Sequence, residues 1–272
     1  MLKTKRIELI QEIKNIIMKE VIKYKNTLDS RGCKTKIEQE LFIDIFINKL
    51  ETNLTWERLG YMYKLSKSHI HKTFNNWSDY GVFKNAFNTF LKQYNLFIDN
   101  NEAYIDSTTI FNKYGYIEST GFNSYESKKH KCNKLSIISS KNGIPLNIHI
   151  SNGDISDINL LIKTLPDNIY FNTLYADKGY VSNKLKQDLL INKNIKLIYP
   201  YKRNQQLKNT MDEKIGLRNR MRIEHLNNKI KQNKSINTRY VKNLLNFKSL
   251  LYIGCLKIGI QIIMNDFFNA FL

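Results

Sequence analysis

The chain has 272 residues, of which 43 are Lys or Arg and 24 are Asp or Glu, so its formal net charge is +19. This length accommodates one large domain, or a large domain with a small one, and the hydrophobic fraction of 42% is ordinary for a soluble globular protein. The positive charge predicts affinity for polyanions, most commonly nucleic acid. A lysine-rich surface from an AT-rich coding sequence is the alternative explanation.

Cysteine usage and the two ends of the chain indicate the compartment. The three cysteines are an odd number, and no two are close enough in sequence for a zinc knuckle, so we expect a reduced, intracellular protein. Residues 1–20 predict an amphipathic charged helix and not a signal peptide. Near the C-terminus, Lys248 and Lys257 interrupt the run LLNFKSLLYIGCLKIGIQIIM, so that no 18-residue apolar segment remains. We interpret this run as a buried helix packed on a sheet, with no membrane partner.

The first part of the chain, residues 1–98, is predicted to be helical. Apolar residues recur at helical spacing at Ile37, Leu41 and Ile45, and strand-like alternation is absent. This region is expected to form an all-α domain before a boundary near residue 99.

Residues 54–77 of this region predict a helix, a short turn and a second helix. Ser66 is a candidate N-cap for the second helix, whose buried face would contain Ile70, Phe74 and Trp77. This is the pattern of a helix-turn-helix, in which the second helix enters the major groove of DNA. A structural helix pair with solvated polar faces would have the same pattern. The outward-facing candidates for DNA contact are Lys67, Ser68, His69, His71 and Lys72.

The second part, residues 99–272, alternates short β-rich runs with helical patterns. A tight hairpin turn is predicted at Asn142-Gly143. The alternation predicts a mixed α/β sheet with flanking helices, preceded by the all-α region. The candidate strands are residues 103–108, 134–140, 144–150, 172–177 and 195–200.

Three acidic residues stand out by their context in this second part. Asp106 follows the strand-like run AYI, Asp177 follows NTLYA, and Glu224 lies in the helical run LRNRMRIEHLNNKIKQ. Carboxylates at the carboxyl edge of a sheet are well placed for chemistry. For each residue taken alone, a solvated turn residue or a helix cap remains the alternative.

The helix that carries Glu224 presents charged residues on one face. At about 100° per residue, Arg220 and Glu224 lie about 40° apart, and Glu224 and Lys231 about 20° apart. The spacing of Arg220 and Glu224 also suits an ordinary surface ion pair. A carboxylate aligned with cations suits a phosphate-handling site, in which the acid binds a divalent metal and the cations hold DNA phosphates.

Taken in order, these blocks resemble the DDE transposases of bacterial insertion sequences, in the insertion-sequence-four and insertion-sequence-five groups, over most of the chain. Segment 128–161 and the N-terminal W-x-x-x-G-V-F segment also match the family. Leu217 departs from it, because a tyrosine often stands three residues before the arginine. The motif residues are Asp106 in YIDSTTI, Asp177 in ADKGYVS, and Arg220, Glu224 and Lys231 in the spacing R-(3)-E-(6)-K.

The resemblance implies a ribonuclease-H-like catalytic domain in residues 99–272. In that domain Asp106, Asp177 and Glu224 would hold Mg²⁺ or Mn²⁺, with two ions at the site. The implied function is a transposase that binds terminal inverted repeats and catalyses metal-dependent cleavage and strand transfer of double-stranded DNA. The basic residues implied to contact DNA in this domain are Lys128, Lys129, Lys131, Lys134, Lys178, Arg220 and Lys231.

The resemblance also implies a setting and leaves other functions open. Synapsis of two DNA ends implies a homodimer that is associated with DNA inside the cell: the cytoplasm or nucleoid of a bacterium, or otherwise a nucleus or viral factory. One alternative is a catalytically silent, domesticated transposase that acts as a DNA-binding repressor; the complete set of acids argues against it and Leu217 leaves room for it. Another is a metal-dependent nuclease of the same fold that does not join strands.

Overall fold

The computed structural model of the protein describes part of the chain in full and part of it by its backbone alone. The residues described are 2–28, 37–99, 101–114, 119–123, 127–166, 171–201 and 208–270, with only the backbone for 2–3, 127–130 and 267–270. The contacts between residues divide the chain into two compact units. The first unit comprises Met1–Asn95 and Ile230–Leu272, and the second comprises Leu96–Gly115 and Ser119–Lys229.

Helices and strands are distributed unevenly along the chain. In the part that the structure describes, the helices are α1 (Leu2–Asn26), α2 (Gln39–Thr52), α3 (Trp56–Tyr63), α4 (Lys67–Tyr80), α5 (Val82–Gln93), α6 (Asp157–Thr164), α7 (Asn183–Lys193), α8 (Met211–Asn219), α9 (Met221–Lys231), α10 (Lys234–Asn237) and α11 (Leu244–Ala270). The strands are β1 (Glu102–Asn112), β2 (Gly121–Asn123), β3 (Ser127–Ser140), β4 (Pro145–Asn152), β5 (Thr173–Tyr175), β6 (Lys196–Ile198) and β7 (Thr238–Arg239). The helical first part and the mixed α/β second part therefore agree with the sequence-based expectation.

The first unit is a helical bundle with an aromatic centre. Helices α1 and α11 both pack against α5, and α11 also contacts α4. The Phe46 ring lies near those of Phe74, Trp77 and Phe83, at centroid distances of 4.9, 5.5 and 5.9 Å. Rings at these separations gain edge-to-face attraction beyond the free energy of burying their surface. This cluster anchors α2, α4 and α5 to one another.

The C-terminal helix α11 belongs to this first unit, which departs from two predictions. It packs against α1, α2, α4, α5 and α10, so the prediction that it packs on a sheet is wrong. The predicted catalytic range, residues 99–272, also differs from the contact-based division at this end. A Cβ at Gly259 would lie 2.6 Å from the Phe90 ring. The bare glycine surface thus allows α5 and α11 to approach closely, which explains why a helix fits here.

Helix α11 also has the length and composition of a membrane span. Leu244–Asp266 has a mean hydropathy of 1.5, so the two lysines do not remove this property as the sequence suggested. Yet 67% of the most apolar window is buried within the protein, and a buried core helix passes the same test. The segment is therefore weak support for a membrane helix.

Helices α3 and α4 form the helix pair predicted from residues 54–77. Thr55 caps α3 by accepting a hydrogen bond from the Arg58 N–H, and Ser66 caps α4 by accepting one from the His69 N–H. Lys64 has a left-handed backbone conformation, with φ of 54°, which reverses the chain in the short connection. The predicted buried face of the second helix is confirmed, since Ile70, Phe74 and Trp77 are all buried.

The second unit is built on a mixed sheet with the strand order β2-β3-β1-β5-β6. Strand β4 lies off this path and also pairs with β3. Strand β3 pairs antiparallel with β1, β2 and β4, whereas β1, β5 and β6 run parallel. The predicted hairpin is confirmed: β3 and β4 flank the turn at Asn142-Gly143, where Gly143 has φ of 85°. The parallel pairing of β1 with β5 ends at Tyr104↔Tyr175, and two of the predicted acids, Asp106 and Asp177, follow directly after it.

Candidate active site

Asp106 lies within β1, and Asp177 lies two residues beyond the end of the neighbouring parallel strand β5. The registered pairs of these strands end at Tyr104↔Tyr175. Each aspartate comes two residues later, on the same side of the pleat as the tyrosine before it. The two aspartates therefore follow the last registered pair of β1 and β5 by the same number of residues, and the charge of Asp177 raises the pKa of Asp106.

The sequence suggested that Asp106 ends a strand, but in the structure it lies within one. Strand β1 continues to Asn112, because the residues after Asp106 keep pairing with β3 as far as Phe111↔Cys132. Asp106 itself pairs with Ile137. Its backbone is thus held by the antiparallel ladder on one side, while the pairing with β5 on the other side has already ended.

Two side chains of the α8–α9 segment contact the Asp106 carboxylate. Asn227 donates a hydrogen bond from Nδ2 to Oδ2 at 2.8 Å, and Nη2 of Arg220 lies 3.6 Å from Oδ1. Burial raises the pKa of Asp106 to about 6; the Arg220 charge and the Ser107 backbone hydrogen bond oppose this, and the charges of Asp177 and Glu224 add to it. Asp106 is thus a partly buried carboxylate in a polar, negatively biased setting.

Asp177 is fixed by the turn that follows β5. The N–H of Ala176 donates to the Ile198 carbonyl at 2.9 Å, which still ties the backbone to β6. The Asp177 side chain then accepts a hydrogen bond from the Gly179 N–H at 2.7 Å and caps the 3₁₀ turn Lys178–Tyr180. The alternative interpretation of Asp177 as a cap is therefore correct locally, and it is compatible with a place at the sheet edge.

Glu224 lies in α9 with an exposed side chain. It stands about 60° from Asn227 around α9, so it shares a face with that contact to Asp106, whereas Arg220 lies in the junction between α8 and α9. Among the described residues, however, no group of three or more His, Cys, Asp or Glu side chains is close enough to hold a metal ion. The structure brings the helix of Glu224 to Asp106 without assembling three carboxylate ligands around one point.

A fourth carboxylate, Asp157, lies at the first residue of α6. Its Oδ1 accepts a hydrogen bond from the Ser107 hydroxyl at 2.5 Å and forms an ion pair with Nζ of Lys134 at 2.8 Å. Lys134 keeps 14% of its side chain exposed and also donates to the Ile155 carbonyl at 3.4 Å. The ammonium group of Lys134 thus has a carboxylate partner within the protein, and its contact with DNA phosphates stays a prediction.

The remaining basic residues predicted to contact DNA in this domain have different surroundings. Lys131 and Lys178 are exposed, and Lys231, at the end of α9, is half-buried. Arg220 is directed to Asp106, as described above. The side chains of Lys128 and Lys129 lie outside the described residues.

The predicted recognition helix α4 exposes most of its candidate residues. Lys67, Ser68 and Lys72 are exposed. His69 is half-buried and packs on Phe42, with ring centroids 5.3 Å apart, so it has a structural contact as well. Burial, followed by the charges of Lys67 and Lys49, lowers the pKa of His71. His71 is exposed, and its ring centroid lies 5.5 Å from that of Trp56.

Sequence reasoning missed three residues that surround the predicted acids. Asn227 could have been found, because it stands seven residues after Arg220 and about 20° from it around the helix. Ser107 and Tyr180 each lie within three residues of a predicted aspartate. Burial raises the pKa of Tyr180, and the charges of Asp157, Asp106 and Asp177 raise it further.

Part of the chain matches a known family model. Residues 129–243 match the family model for the transposase DDE domain. The match supports a DDE transposase. The matched segment includes Asp177 and Glu224, whereas Asp106 lies before it. The assignment to the insertion-sequence-four and insertion-sequence-five groups stays a prediction.

Comparisons with individual proteins add little to this match. The solved structures to which the chain is similar include a pre-cleavage Mos1 transpososome, at 11% identity over 79% of this chain and 84% of that chain, with a TM-score of 0.25. They also include the Mos1 strand transfer complex, at 12% identity over 78% and 83% of the two chains, with a TM-score of 0.23. No curated protein matches the sequence significantly.

Proposed function

We propose that the protein is a transposase that binds transposon ends and catalyses metal-dependent cleavage and strand transfer of DNA. The observation that carries the proposal is the placement of Asp106 and Asp177, each two residues beyond the last registered pair of the parallel strands β1 and β5. Asn227 of the Glu224 helix and Arg220, which directly precedes that helix, both lie against the Asp106 carboxylate. The family match over residues 129–243 supports the same function. The order of antiparallel and parallel strands supports a ribonuclease-H-like core.

The chemistry of the proposed ligands fits a hard divalent cation. Carboxylate oxygens are what Mg²⁺ and Mn²⁺ prefer, so Asp106, Asp177 and Glu224 would hold one or two such ions. Burial and two like charges raise the pKa of Asp106 to about 6, and a bound cation would relieve that unfavourable charge. When bound, the ions supply activation of the attacking water or 3′-hydroxyl and stabilisation of the leaving oxygen.

The side chains around Asp106 have separate roles in this proposal. Asn227 orients the Asp106 carboxylate by donating to Oδ2, and Arg220 keeps it ionised by placing a positive charge beside Oδ1. Asp177 is held by the Gly179 N–H, so its position depends on the turn after β5. Exposed Lys178, directly beside Asp177, would bind a DNA phosphate.

Recognition of the DNA ends is proposed for α3 and α4. The buried face of α4 is anchored in the aromatic cluster around Phe46, which leaves its N-terminal residues Lys67, Ser68 and Lys72 exposed. This arrangement supports a helix-turn-helix in which α4 enters the major groove. The net charge of +19 supplies the general attraction to DNA. Because two ends must be paired, we propose that the protein works as a homodimer on DNA inside the cell.

One observation favours a second function, in which the protein binds DNA without cutting it. The described residues hold no group of three potential metal ligands, and Glu224 is exposed. Leu217 also replaces the tyrosine expected from the family pattern. A domesticated transposase acting as a repressor would have these features.

A cleavage assay separates the two functions. The substrate is the DNA that flanks the gene, including any short inverted repeats, and the protein is the full chain with Mg²⁺ or Mn²⁺. The transposase proposal predicts strand breaks at the repeat ends and joining of the freed 3′-hydroxyl to a target plasmid, both lost in Asp177→Ala. Binding of the ends without breaks in either metal would support the repressor, and breaks without joined products would support a nuclease.

A further inference from the structure

A polar cluster lies on the face of the sheet opposite to the side chain of Asp106. Its centre is Asp157, whose Oδ1 accepts from the Ser107 hydroxyl at 2.5 Å and from Nζ of Lys134 at 2.8 Å. Successive residues of a strand point to opposite faces, so Ser107 and Asp106 project to different sides of β1. Lys134 pairs with Thr109 across the ladder, so these two side chains point to the same face of the sheet. Thr109 stands two residues after Ser107 and shares its face, so Ser107 and Lys134 also project to the same side.

Asp157 also lies against the turn that carries Asp177. A Cβ built on Gly179 would lie 3.1 Å from Oδ2 of Asp157 and 3.0 Å from Oδ1 of Asp177, so two carboxylates approach this glycine from different elements. The charge of Asp157 is the largest electrostatic contribution to the raised pKa of Tyr180, after burial. One side chain of α6 thus contacts the residue after Asp106 and lies beside the second residue after Asp177.

The backbone pairing shows which two segments Asp157 would connect. Registered pairing between β1 and β5 ends at Tyr104↔Tyr175, before either aspartate. Past that point, a connection between the two segments has to come from side chains or from the short turn after β5. Asp157 provides such a connection through Ser107 on one side and the Gly179–Tyr180 turn on the other.

Lys134 makes a carboxylate acceptable at this position. Asp157 has 25% of its side chain exposed and approaches Gly179, as does Oδ1 of Asp177, so its negative charge needs a compensating partner. The Lys134 ammonium group is only 14% exposed and is directed to Asp157. In metal sites, residues that do not touch the metal often orient its ligands through hydrogen bonds, and Asp157 and Lys134 would have a comparable role.

We propose that Asp157, paired with Lys134, is a positioning residue that holds the segments of Asp106 and Asp177 at a fixed separation. The effect on catalysis rests on the proposed function, whereas the effect on the two segments does not. Asp157 would touch neither DNA nor metal. It would act by restricting the motion of residues 106–107 and 177–180.

Three variants test the proposal, and two further variants serve as controls. Asp157→Asn removes the charge, Lys134→Met removes its partner, and Ser107→Ala removes a single hydroxyl with little risk to folding. Asp188→Asn is the control for a carboxylate, because Asp188 is exposed on α7, and Lys163→Met is the control for a lysine, because Lys163 is exposed on α6.

Hydrogen exchange measured by mass spectrometry on metal-free protein is the first measurement. We expect peptides covering residues 103–109 and 176–183 to exchange about tenfold faster in Asp157→Asn, with peptides covering 143–150 unchanged. Ser107→Ala should accelerate only the first of these segments. The double variant Lys134→Met/Asp157→Asn should exchange no faster than Asp157→Asn, because the pair acts as one unit.

Two results of that experiment would overturn the proposal. One is exchange at the wild-type rate in both segments of Asp157→Asn. The other is equal acceleration across the whole sheet, which would make Asp157 a residue of general stability. DNA cleavage with Mg²⁺ is the second measurement, and a loss of about 10–100-fold in Asp157→Asn is expected. If the wild-type protein does not cut DNA, the proposed function fails, and the exchange data alone still decide the role of Asp157.

Discussion

The side-chain amide of Asn227 donates a hydrogen bond to Oδ2 of Asp106 at 2.8 Å, joining helix α9 to strand β1. The residues are 121 positions apart in the chain. Nη2 of Arg220, the residue directly before α9, lies 3.6 Å from the other carboxylate oxygen. Asp106 is therefore oriented by the segment that also carries Glu224. This relationship connects the first and third acidic blocks of the predicted motif.

Replacing Asp106 should make the metal-free protein more stable at neutral pH. The pKa of Asp106 is raised from 3.8 to about 6 in the folded protein, so the folded state binds this proton more tightly than the unfolded state does. The resulting stabilisation is present below about pH 4 and is lost as pH rises through about 6. Asp106→Asn should raise the free energy of unfolding at neutral pH by about 1–3 kcal/mol.

Urea unfolding between about pH 4 and 8, in the presence of a chelator, measures this effect. Asp188→Asn removes an exposed carboxylate and should leave the pH dependence of the wild type in place. An Asp106→Asn protein that keeps the full decline in stability between about pH 4 and 6 would show that Asp106 is not the titrating group.

Replacing Arg220 should shift the titration of Asp106 further. The guanidinium group lowers the pKa of Asp106 against the effect of burial, so Arg220→Gln should raise that pKa above about 6. The decline in the stability of the metal-free protein should then move to higher pH. Arg218→Gln, which removes an exposed charge from the preceding helix, is the matched control. Identical pH profiles for the two variants would argue against the contact between Arg220 and Asp106.

Replacing Asp177 should abolish cleavage and spare the fold. Asp177→Asn keeps an oxygen that can accept from the Gly179 N–H, so the turn after β5 should persist while the charge is lost. A metal ligand is expected to contribute several kcal/mol to transition-state stabilisation, so cleavage should fall at least about 100-fold. Binding of end DNA should stay within about threefold of wild type. Gel-shift and cleavage assays on the same DNA measure both, and retained cutting would exclude Asp177 from catalysis.

Removing two lysines of α4 should weaken binding to the DNA ends and reduce its salt dependence. If Lys67 and Lys72 each neutralise a phosphate, the slope of log K against log salt should fall by about 1.8 in Lys67→Ala/Lys72→Ala. Lys25→Ala/Lys92→Ala removes the same charge from exposed positions on α1 and α5. Equal slopes for the two double variants would indicate that net charge, and not helix α4, accounts for the binding.

Local patterns predicted much of the fold. The helix pair around Ser66 was predictable because its cap, its buried face and its turn all lie within one short segment. The hairpin at Asn142-Gly143 was predictable for the same reason, since the glycine supplies a backbone conformation that few other residues adopt. Long-range packing was not: α11 is apolar on most sides, and its sequence does not distinguish burial against a sheet from burial among helices.

In the candidate site, too, local features were predictable from the sequence and long-range contacts were not. Asp106, Asp177 and Glu224 were selected by their local context and by family spacing, and the structure brings the first two to neighbouring strands. The contact of Asn227 with Asp106 depends on how α9 docks on the sheet, which its helical periodicity does not reveal. Lys134 was assigned to DNA from a run of basic residues, yet the carboxylate that neutralises it, Asp157, comes from a helix 23 residues later in the sequence.

The most direct test of the central claim is a Mn²⁺ titration followed by electron paramagnetic resonance, in the presence of end DNA. If Asp106, Asp177 and Glu224 together hold the metal, the wild-type protein should bind Mn²⁺, and Asp106→Asn, Asp177→Asn and Glu224→Gln should each weaken that binding, while Asp188→Asn should not. Binding of Mn²⁺ by Glu224→Gln as tightly as by the wild type would contradict the claim that these three acids form one metal site.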